Sequence, residues 1–486
     1  MVGIVSYGGY IPQKRLSRAA IAKNMSWFSP GLAGAAKGER SMANWDEDSL
    51  TMAVAASRDA LVGMDKSKLD AVYLASTTLP FADRDNAGVL KAALNLPDGI
   101  LTADFASSLK VGPVALMTAL EAVKGGDKQT ILVAASDKRR TKAASNNEML
   151  FGDGAGSVVV GNENVIAEYL GGYAVSVDFV DHYRGSDAKF DYSWEQRWIR
   201  DEGFSKIYPD VFRGVLDKTG VSIENVTKLI FPCIFGRFQA KIASAVGAGP
   251  EQLSDTLQAN VGECGSAHPL VMLAKELETA KPGDILLVAG LGQGAGALMF
   301  RVTDHITNLP ARMGISGCLE NRQPVEMYTK WLQYNGLIET DLGARGDVDT
   351  RTGLSSLYRN RKFILGFVGG KCTACGTPQI PPKRICVNPE CGAVDSLEEY
   401  EFADKPARVL TFTADNLAAS LDPPVIYGMI QFEGGGRILT DFTDCSQDNV
   451  EVGVKMKMTF RKKYHDDKRG FTGYYWKATI DNTTLK

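Results

Sequence analysis

No stretch of the 486 residues holds the roughly 18 uninterrupted apolar residues that a membrane-spanning helix needs. The longest candidate, Ile285 to Phe300, is broken by glycines and by Gln293, so no membrane is an expected partner. Neither sign of charge is in excess: 54 Lys and Arg against 57 Asp and Glu leave a net charge of −3. A general nucleic-acid binder is usually strongly basic, so nucleic acid is not an expected partner either. The opening Met1-Val2-Gly3-Ile4-Val5-Ser6 lacks the basic segment of a signal peptide and reads as a first strand. Histidine is scarce, with four in all, which shortens the roll of side chains that titrate near neutrality. Of eight cysteines, Cys233, Cys264, Cys318 and Cys445 are scattered and read as free thiols of a reducing compartment. A cytoplasmic protein is expected.

What is present is a repeat. One copy runs from Gly112-Pro113 through a helical stretch to Lys124, Gly126-Asp127, the strand pattern Ile131–Ala135 and the turn Gly152-Asp153-Gly154-Ala155-Gly156. The other runs from His268-Pro269 to Lys281, Gly283-Asp284, Ile285–Ala289 and Gly292-Gln293-Gly294-Ala295-Gly296. A duplicated unit implies internal two-fold pseudosymmetry, with a site expected where the two equivalent loops meet. Alternating strand and helix patterns point to α/β layers with largely parallel central strands. The length suits about three domains. We divide the chain into two pseudosymmetric halves, 1–164 and 165–303, then a linker with a docking helix, 304–358. The docking stripe is Met327, Trp331, Leu332 and Leu337. A small cysteine-bearing domain, 359–398, and a β-barrel domain, 399–486, follow.

Cys372-Thr373-Ala374-Cys375 and Cys386-Val387-Asn388-Pro389-Glu390-Cys391 form two knuckles, each with glycine after its second cysteine. Four thiolates converging on one point suit zinc, and a closed four-sulfur shell leaves no position for substrate water. A structural zinc is expected, with Cys372, Cys375, Cys386 and Cys391 as ligands.

The segments Ser41–Ala53, Thr77–Ala87, Phe151–Gly156 and Gly265-Ser266-Ala267 resemble the 3-hydroxy-3-methylglutaryl-CoA synthase-like branch of the thiolase superfamily. The resemblance covers roughly residues 1–303. It implies a duplicated αβαβα fold, acyl-CoA thioester substrates and a homodimer, with a second thiolase-like or other subunit as a further partner. The tail, with Arg359–Phe363 ahead of the knuckles, is similar to the acyl-CoA-associated zinc-ribbon/OB-fold family.

Condensing enzymes of this family use a cysteine at the first half's helix start, where the helix lowers the thiol pKa. Here that loop reads Ala106-Ser107-Ser108-Leu109-Lys110, with Leu109 at the cysteine position. Ser108 is either a displaced nucleophile or a helix cap. Pro232 or Cys233 falls where the family keeps a histidine, and a Cys233 thiol among apolar neighbours reads as inert or catalytic. His268 is a general acid/base or a backbone-bonded histidine. His182, in a segment dense in His, Tyr, Arg and Asp, is a proton-transfer group or part of a polar surface. Asp83 marks the expected position of a family acidic group, with an ion pair to Arg84 as the plain alternative. Lys110, Arg200 and Lys206 are candidates for CoA phosphates.

Three functions stay open. The first is an aldol or retro-aldol enzyme on a 3-hydroxyacyl-CoA, working without a cysteine acyl-enzyme. The second is a hydroxymethylglutaryl-CoA synthase-like condensation with a displaced nucleophile at Ser108, Cys264 or Cys233. The third is a non-catalytic acyl-CoA-binding scaffold.

Overall fold

The apolar runs of the two repeats become strands of one mixed sheet. In the computed structural model, which describes residues 1–348, 350–351 and 353–482, these are β1 (Gly3–Tyr10), β2 (Ala71–Ala75), β3 (Leu101–Phe105), β4 (Thr130–Lys138), β5 (Asp153–Gly161), β6 (Ala167–Ser176), β7 (Lys228–Ile230), β8 (Ile285–Leu291) and β9 (Gly294–Val302). Their spatial order is β7-β8-β9-β6-β1-β5-β4-β2-β3. Within the sheet the halves join through Gly3 with Glu168 and Ile4 with Ala167, and a bridge from Phe151 to Glu263 adds a second contact between them. The second half has a single bridge, Leu229 with Leu253, where the first half has β3. The central strands, expected to be largely parallel, are mostly antiparallel: among the named strands of this sheet, parallel pairing is found in β4-β2-β3 and β7-β8. The two residues Gly292-Gln293 return β8 directly into β9. A connection that short admits only an antiparallel neighbour.

Six helices pack on the sheet, α3 (Val111–Lys124) and α6 (His268–Leu277) between its two halves and α1 (Ser49–Ala60), α2 (Asn86–Ala93), α4 (Ser205–Thr219) and α5 (Phe238–Ser244) outside them. The run Ile131–Ala135 is apolar at every position because both faces of β4 are covered. Ile131, Val133 and Ala135 face the central core, which holds Leu116 and Leu120 of α3 and Leu270 and Leu273 of α6. Leu132 and Ala134 face the outer cluster with Leu50 and Val54 of α1. Val211, Phe212 and Val215 of α4 cover the other half over Leu287 and Ala289. The result is the five-layered αβαβα arrangement, with α3 and α6 as the shared middle layer.

The linker helix packs on the first half through Trp331, with Leu332 and Leu337 at the edge of the same cluster. This helix is Tyr328–Tyr334, and Tyr328, Trp331 and Tyr334 are buried with Leu16, Ile21 and Met149. Met327 precedes the helix and is 63% exposed.

The tail forms two small sheets. β10 (Val368–Cys372), β11 (Pro378–Gln379) and β12 (Leu397–Glu401) carry the cysteine knuckles. β13 (Ala407–Asp415), β14 (Val425–Phe432), β15 (Arg437–Asp441), β16 (Lys455–Asp466) and β17 (Phe471–Ile480) follow in the spatial order β15-β14-β13-β16-β17. A bridge from Phe442 to Ala478 brings the sheet's two ends together as a barrel. This barrel is seated on the first half rather than tethered to it. Its Ile430, Phe432, Phe460 and Trp476 share one apolar cluster with Leu50, Val54 and Leu90. Buried charges lock the contact. Arg461 pairs with Asp444, Glu47 and Asp46, and Lys477 lies 2.8 Å from Asp46.

Candidate active site

Both repeated helices begin at one cavity between the halves, lined by Leu109 before α3 and by Gly265 and Pro269 at α6. Each half braces the other's loop there. The Ser108 hydroxyl donates to the Gly292 carbonyl at 2.6 Å, and Lys110 Nζ donates to the Gln293 carbonyl at 2.9 Å. In the opposite direction, Ser266 donates from its amide and its hydroxyl, each at 2.7 Å, to Asp137 Oδ2. Asp137 Oδ1 accepts from Ser76, Thr78 and both donors of Thr77. Gly112 is required at this crossing, since a Cβ would stand 2.2 Å from the Ser266 carbonyl.

Much of the wall is apolar: Leu109, Phe151, Ile199, Phe204, Pro232, Ile234 and Leu291. One side is charged. Arg139 lies on the ring of Phe151, 3.8 Å from its centroid, and pairs with Glu263 and with Asp191. Asp191 also holds Arg184. Burial opposes the charge on Asp191, but Arg139 and Arg184 outweigh it and keep the carboxyl below its usual range.

His182 joins that wall. Its Nδ1 lies 3.0 Å from Asp181 Oδ2, and the imidazole is largely but not wholly enclosed. With the Asp181 carboxylate beside Nδ1, Nε2 is the ring nitrogen left to face a ligand. The Tyr208 hydroxyl, also on the cavity, donates to the Pro232 carbonyl at 3.2 Å.

Away from this cavity, the four knuckle sulfurs all lie within 4.8 Å of one another. Cys375 and Cys386 are 3.6 Å apart and Cys372 and Cys391 are 3.9 Å apart. Sulfurs around a tetrahedral zinc, each about 2.3 Å from the metal, stand about 3.8 Å apart. The donor set therefore fits the metal. Gly376 and Gly392 turn with φ of +74° and +55°, the left-handed backbone that a knuckle needs beyond its second cysteine.

Comparison with known proteins agrees with this architecture. The hydroxymethylglutaryl-CoA synthase of Methanocella arvoryzae is 28% identical over 348 residues, 70% of this chain and 99% of that protein. That of Pyrobaculum arsenaticum is 29% identical over 320 residues, 63% of this chain and 89% of that protein. A solved HMG-CoA synthase complexed with CoA superposes with a TM-score of 0.61 at 18% identity, covering 72% of this chain and 94% of that one. Residues 400–461 match the family described as ChsH2, C-terminal OB-fold domain. The chain is a homologue of hydroxymethylglutaryl-CoA synthases with an added OB-fold domain.

In this synthase homologue the structure separates the candidates sharply. Leu109 does occupy the cavity at the start of α3, and His182 lines it. His268 is not among the residues lining the cavity, and both its ring nitrogens are engaged: Nδ1 accepts from the Cys264 amide and Nε2 meets the Thr256 carbonyl, both at 2.9 Å. Burial lowers its pKa and keeps it neutral. Burial also pushes Cys233 up to about 11 and Cys264 well above the usual thiol range, so neither is an activated nucleophile. Ser108 spends its proton on Gly292. Asp83 is exposed and off the cavity wall, while Arg84 turns to the rings of Phe81 and Phe471 rather than to an ion pair. Lys110 is committed to backbone carbonyls. Arg200 is bidentate on Asp201, and Lys206 pairs with Glu202. Among the described residues no helix is long and apolar enough to cross a membrane.

Sequence reasoning missed Asp137, Arg139 and Glu263, and met Asp181 and Asp191 only as members of the polar segment around His182. One signal was available: Asp137-Lys138-Arg139 is a charged cluster directly at the end of an apolar strand, where the equivalent strand of the other repeat ends in Gly290-Leu291.

Proposed function

We propose that this chain is an enzyme that makes or breaks a carbon–carbon bond in a 3-hydroxyacyl-CoA by aldol chemistry, without a cysteine acyl-enzyme. The observation that carries the reading is the exchange at the cavity: Leu109 stands at the helix start, while the Asp181–His182 pair faces the same space. In the cleaving direction His182 Nε2 takes the 3-hydroxyl proton. The Cα–Cβ bond breaks, the β-carbon leaves as a carbonyl, and the electron pair moves to the thioester as an enolate. Proton return to Cα yields the shortened acyl-CoA. Asp181 orients the imidazole and stabilises its cation. The positive ends of α3 and α6 both point at the cavity and favour the enolate charge.

Homology to hydroxymethylglutaryl-CoA synthases and the CoA-bound structural relative support CoA thioesters as substrates. The Cys372, Cys375, Cys386 and Cys391 set would hold a structural zinc that ties the ribbon together, and elemental analysis should return one zinc per chain. The exposed edge strand β3, where Leu101 is 49% exposed, offers the open backbone along which two copies would pair as a homodimer. Sedimentation velocity tests this.

The functional test is to incubate the full chain with 3-hydroxyacyl-CoA thioesters, following acetyl-CoA by chromatography and the protein by intact mass. Acetyl-CoA should form with no added acyl mass. His182→Ala should lower the rate about 10²–10⁴-fold with CoA binding kept. A covalent acyl adduct, or full activity in that variant, would overturn the reading. CoA binding with no turnover of any thioester in either direction would favour the scaffold.

A further inference from the structure

His182 does not face one space only. It also lines an open groove walled by Val180, Asp181, Tyr183, Tyr192, Trp194 and Trp198. It lines a polar cleft as well, with Thr77, Ser107, Ser108 and Gln293. The groove is aromatic and open. Tyr183, Tyr192 and Trp194 are 55%, 51% and 56% exposed, with successive ring centroids 5.4 and 6.4 Å apart. Three large rings held in water side by side lose the burial that such side chains ordinarily gain.

These rings sit on a ribbon too short to persist alone, His182–Tyr183 against Tyr192–Ser193. It is fixed from below. Asp191 pairs with Arg139 and Arg184, its amide bonds the Arg140 carbonyl at 3.1 Å, and Ser193 Oγ accepts from Asn147 at 2.8 Å. The structure therefore orders the rings beside the proton-transfer group with anchors that belong to the cavity wall.

The charges tell what the cavity does not favour. A substrate with a second carboxylate, such as a hydroxymethylglutaryl group, needs a cation to meet it. Arg139, the guanidinium on the cavity wall, is paired with Glu263 and Asp191, and Arg184 in the cleft is paired with Asp191. The cavity wall itself is mostly apolar.

We propose that the groove of Tyr183, Tyr192 and Trp194 is a subsite for an uncharged ring on the β-carbon of the substrate, so that the acyl group is an aromatic or alicyclic 3-hydroxyacyl thioester rather than a dicarboxylic one. This rests on the aldol reading for the reaction, but not for binding. With 3-hydroxy-3-phenylpropanoyl-CoA the step gives benzaldehyde and acetyl-CoA. The hydroxyl proton goes to His182 and a proton returns to Cα, so no water or oxidant is consumed.

The test compares 3-hydroxy-3-phenylpropanoyl-CoA, 3-hydroxybutanoyl-CoA and 3-hydroxy-3-methylglutaryl-CoA on the full chain, with binding by calorimetry and cleavage by chromatography. The phenyl thioester should bind about tenfold or more tighter than the butanoyl one. Tyr192→Ala and Trp194→Ala should each reduce that ratio several-fold, and Trp194→Phe should restore most of it. Equal binding of the phenyl and butanoyl thioesters, preference for the dicarboxylic one, or a ratio unmoved by the variants would overturn the subsite. So would a dimer that falls apart in Trp194→Ala, which would make the groove a contact between copies. Ring-dependent binding without cleavage would retain the subsite and remove the aldol reading; cleavage without ring preference would do the reverse.

Discussion

The two loops that start α3 and α6 occupy equivalent places in the repeat, yet they are held by unlike means. The first-half loop is tied by one hydroxyl and one ammonium to backbone carbonyls beyond β8: Ser108 to Gly292 and Lys110 to Gln293. The second-half loop is tied to a buried carboxylate beyond the middle of β4, since Ser266 donates twice to Asp137. Where β4 carries Asp137, β8 carries Leu291, which lines the cavity instead. Pseudosymmetry thus preserves the reciprocal brace but not its chemistry. One loop is left beside an apolar wall with Leu109 exposed to it, and the other is saturated with hydrogen bonds. This explains why the histidine of the second loop is structural, while the histidine that reaches the cavity comes from the connection after β6.

The contrast breaks most severely at Asp137. Asp137→Ala removes an acceptor shared by Ser76, Thr77, Thr78 and Ser266 and leaves buried donors without partners. A loss of about 3–5 kcal/mol in urea-unfolding stability is expected. A loss below about 1 kcal/mol would show that the brace is dispensable. Leu109→Cys sharpens the comparison on the other side. It costs about 1 kcal/mol of packing and sets a thiol at a helix start. Iodoacetamide should alkylate that thiol ahead of Cys233 and Cys264, as read by peptide mass. If it reacts no faster than they do, the loop start is not an electropositive position.

The smallest effect concerns His268. Burial lowers its folded pKa below the unfolded value of about 6.5, so the unfolded chain takes up the proton first. Its contribution is present above pH 6.5 and is lost as the pH falls below it. The difference between the natural chain and His268→Gln should therefore change between pH 7 and pH 6, by under about 1 kcal/mol. A pH-independent difference would contradict the neutral, backbone-bonded histidine.

A good part of this protein is legible in its residues. The repeat announces the layered fold because each copy carries a local pattern: a helix start, an apolar run, a glycine turn. The cysteine knuckles are legible for the same reason, since the ligands of each pair lie within six residues. The domain contacts are not. Met327 belongs to the apolar stripe on paper, but the helix begins at Tyr328 and leaves it outside. The candidate cations fare similarly: Lys110, Arg200 and Lys206 look free in a string of letters, and each has a partner in the fold.

The sequence by itself determined the duplicated α/β architecture, the missing thiol at Leu109 and the four-cysteine cluster, because each is written in neighbouring residues. Only the tertiary structure placed His182 on the cavity and His268 off it. The distinction depends on neighbours that folding supplies: the Thr256 carbonyl holds one imidazole in the core, and the other stands beside Asp181 at a cavity whose walls come from both halves. Hydrogen-bond saturation is a property of three-dimensional neighbours, and no spacing in the sequence displays it.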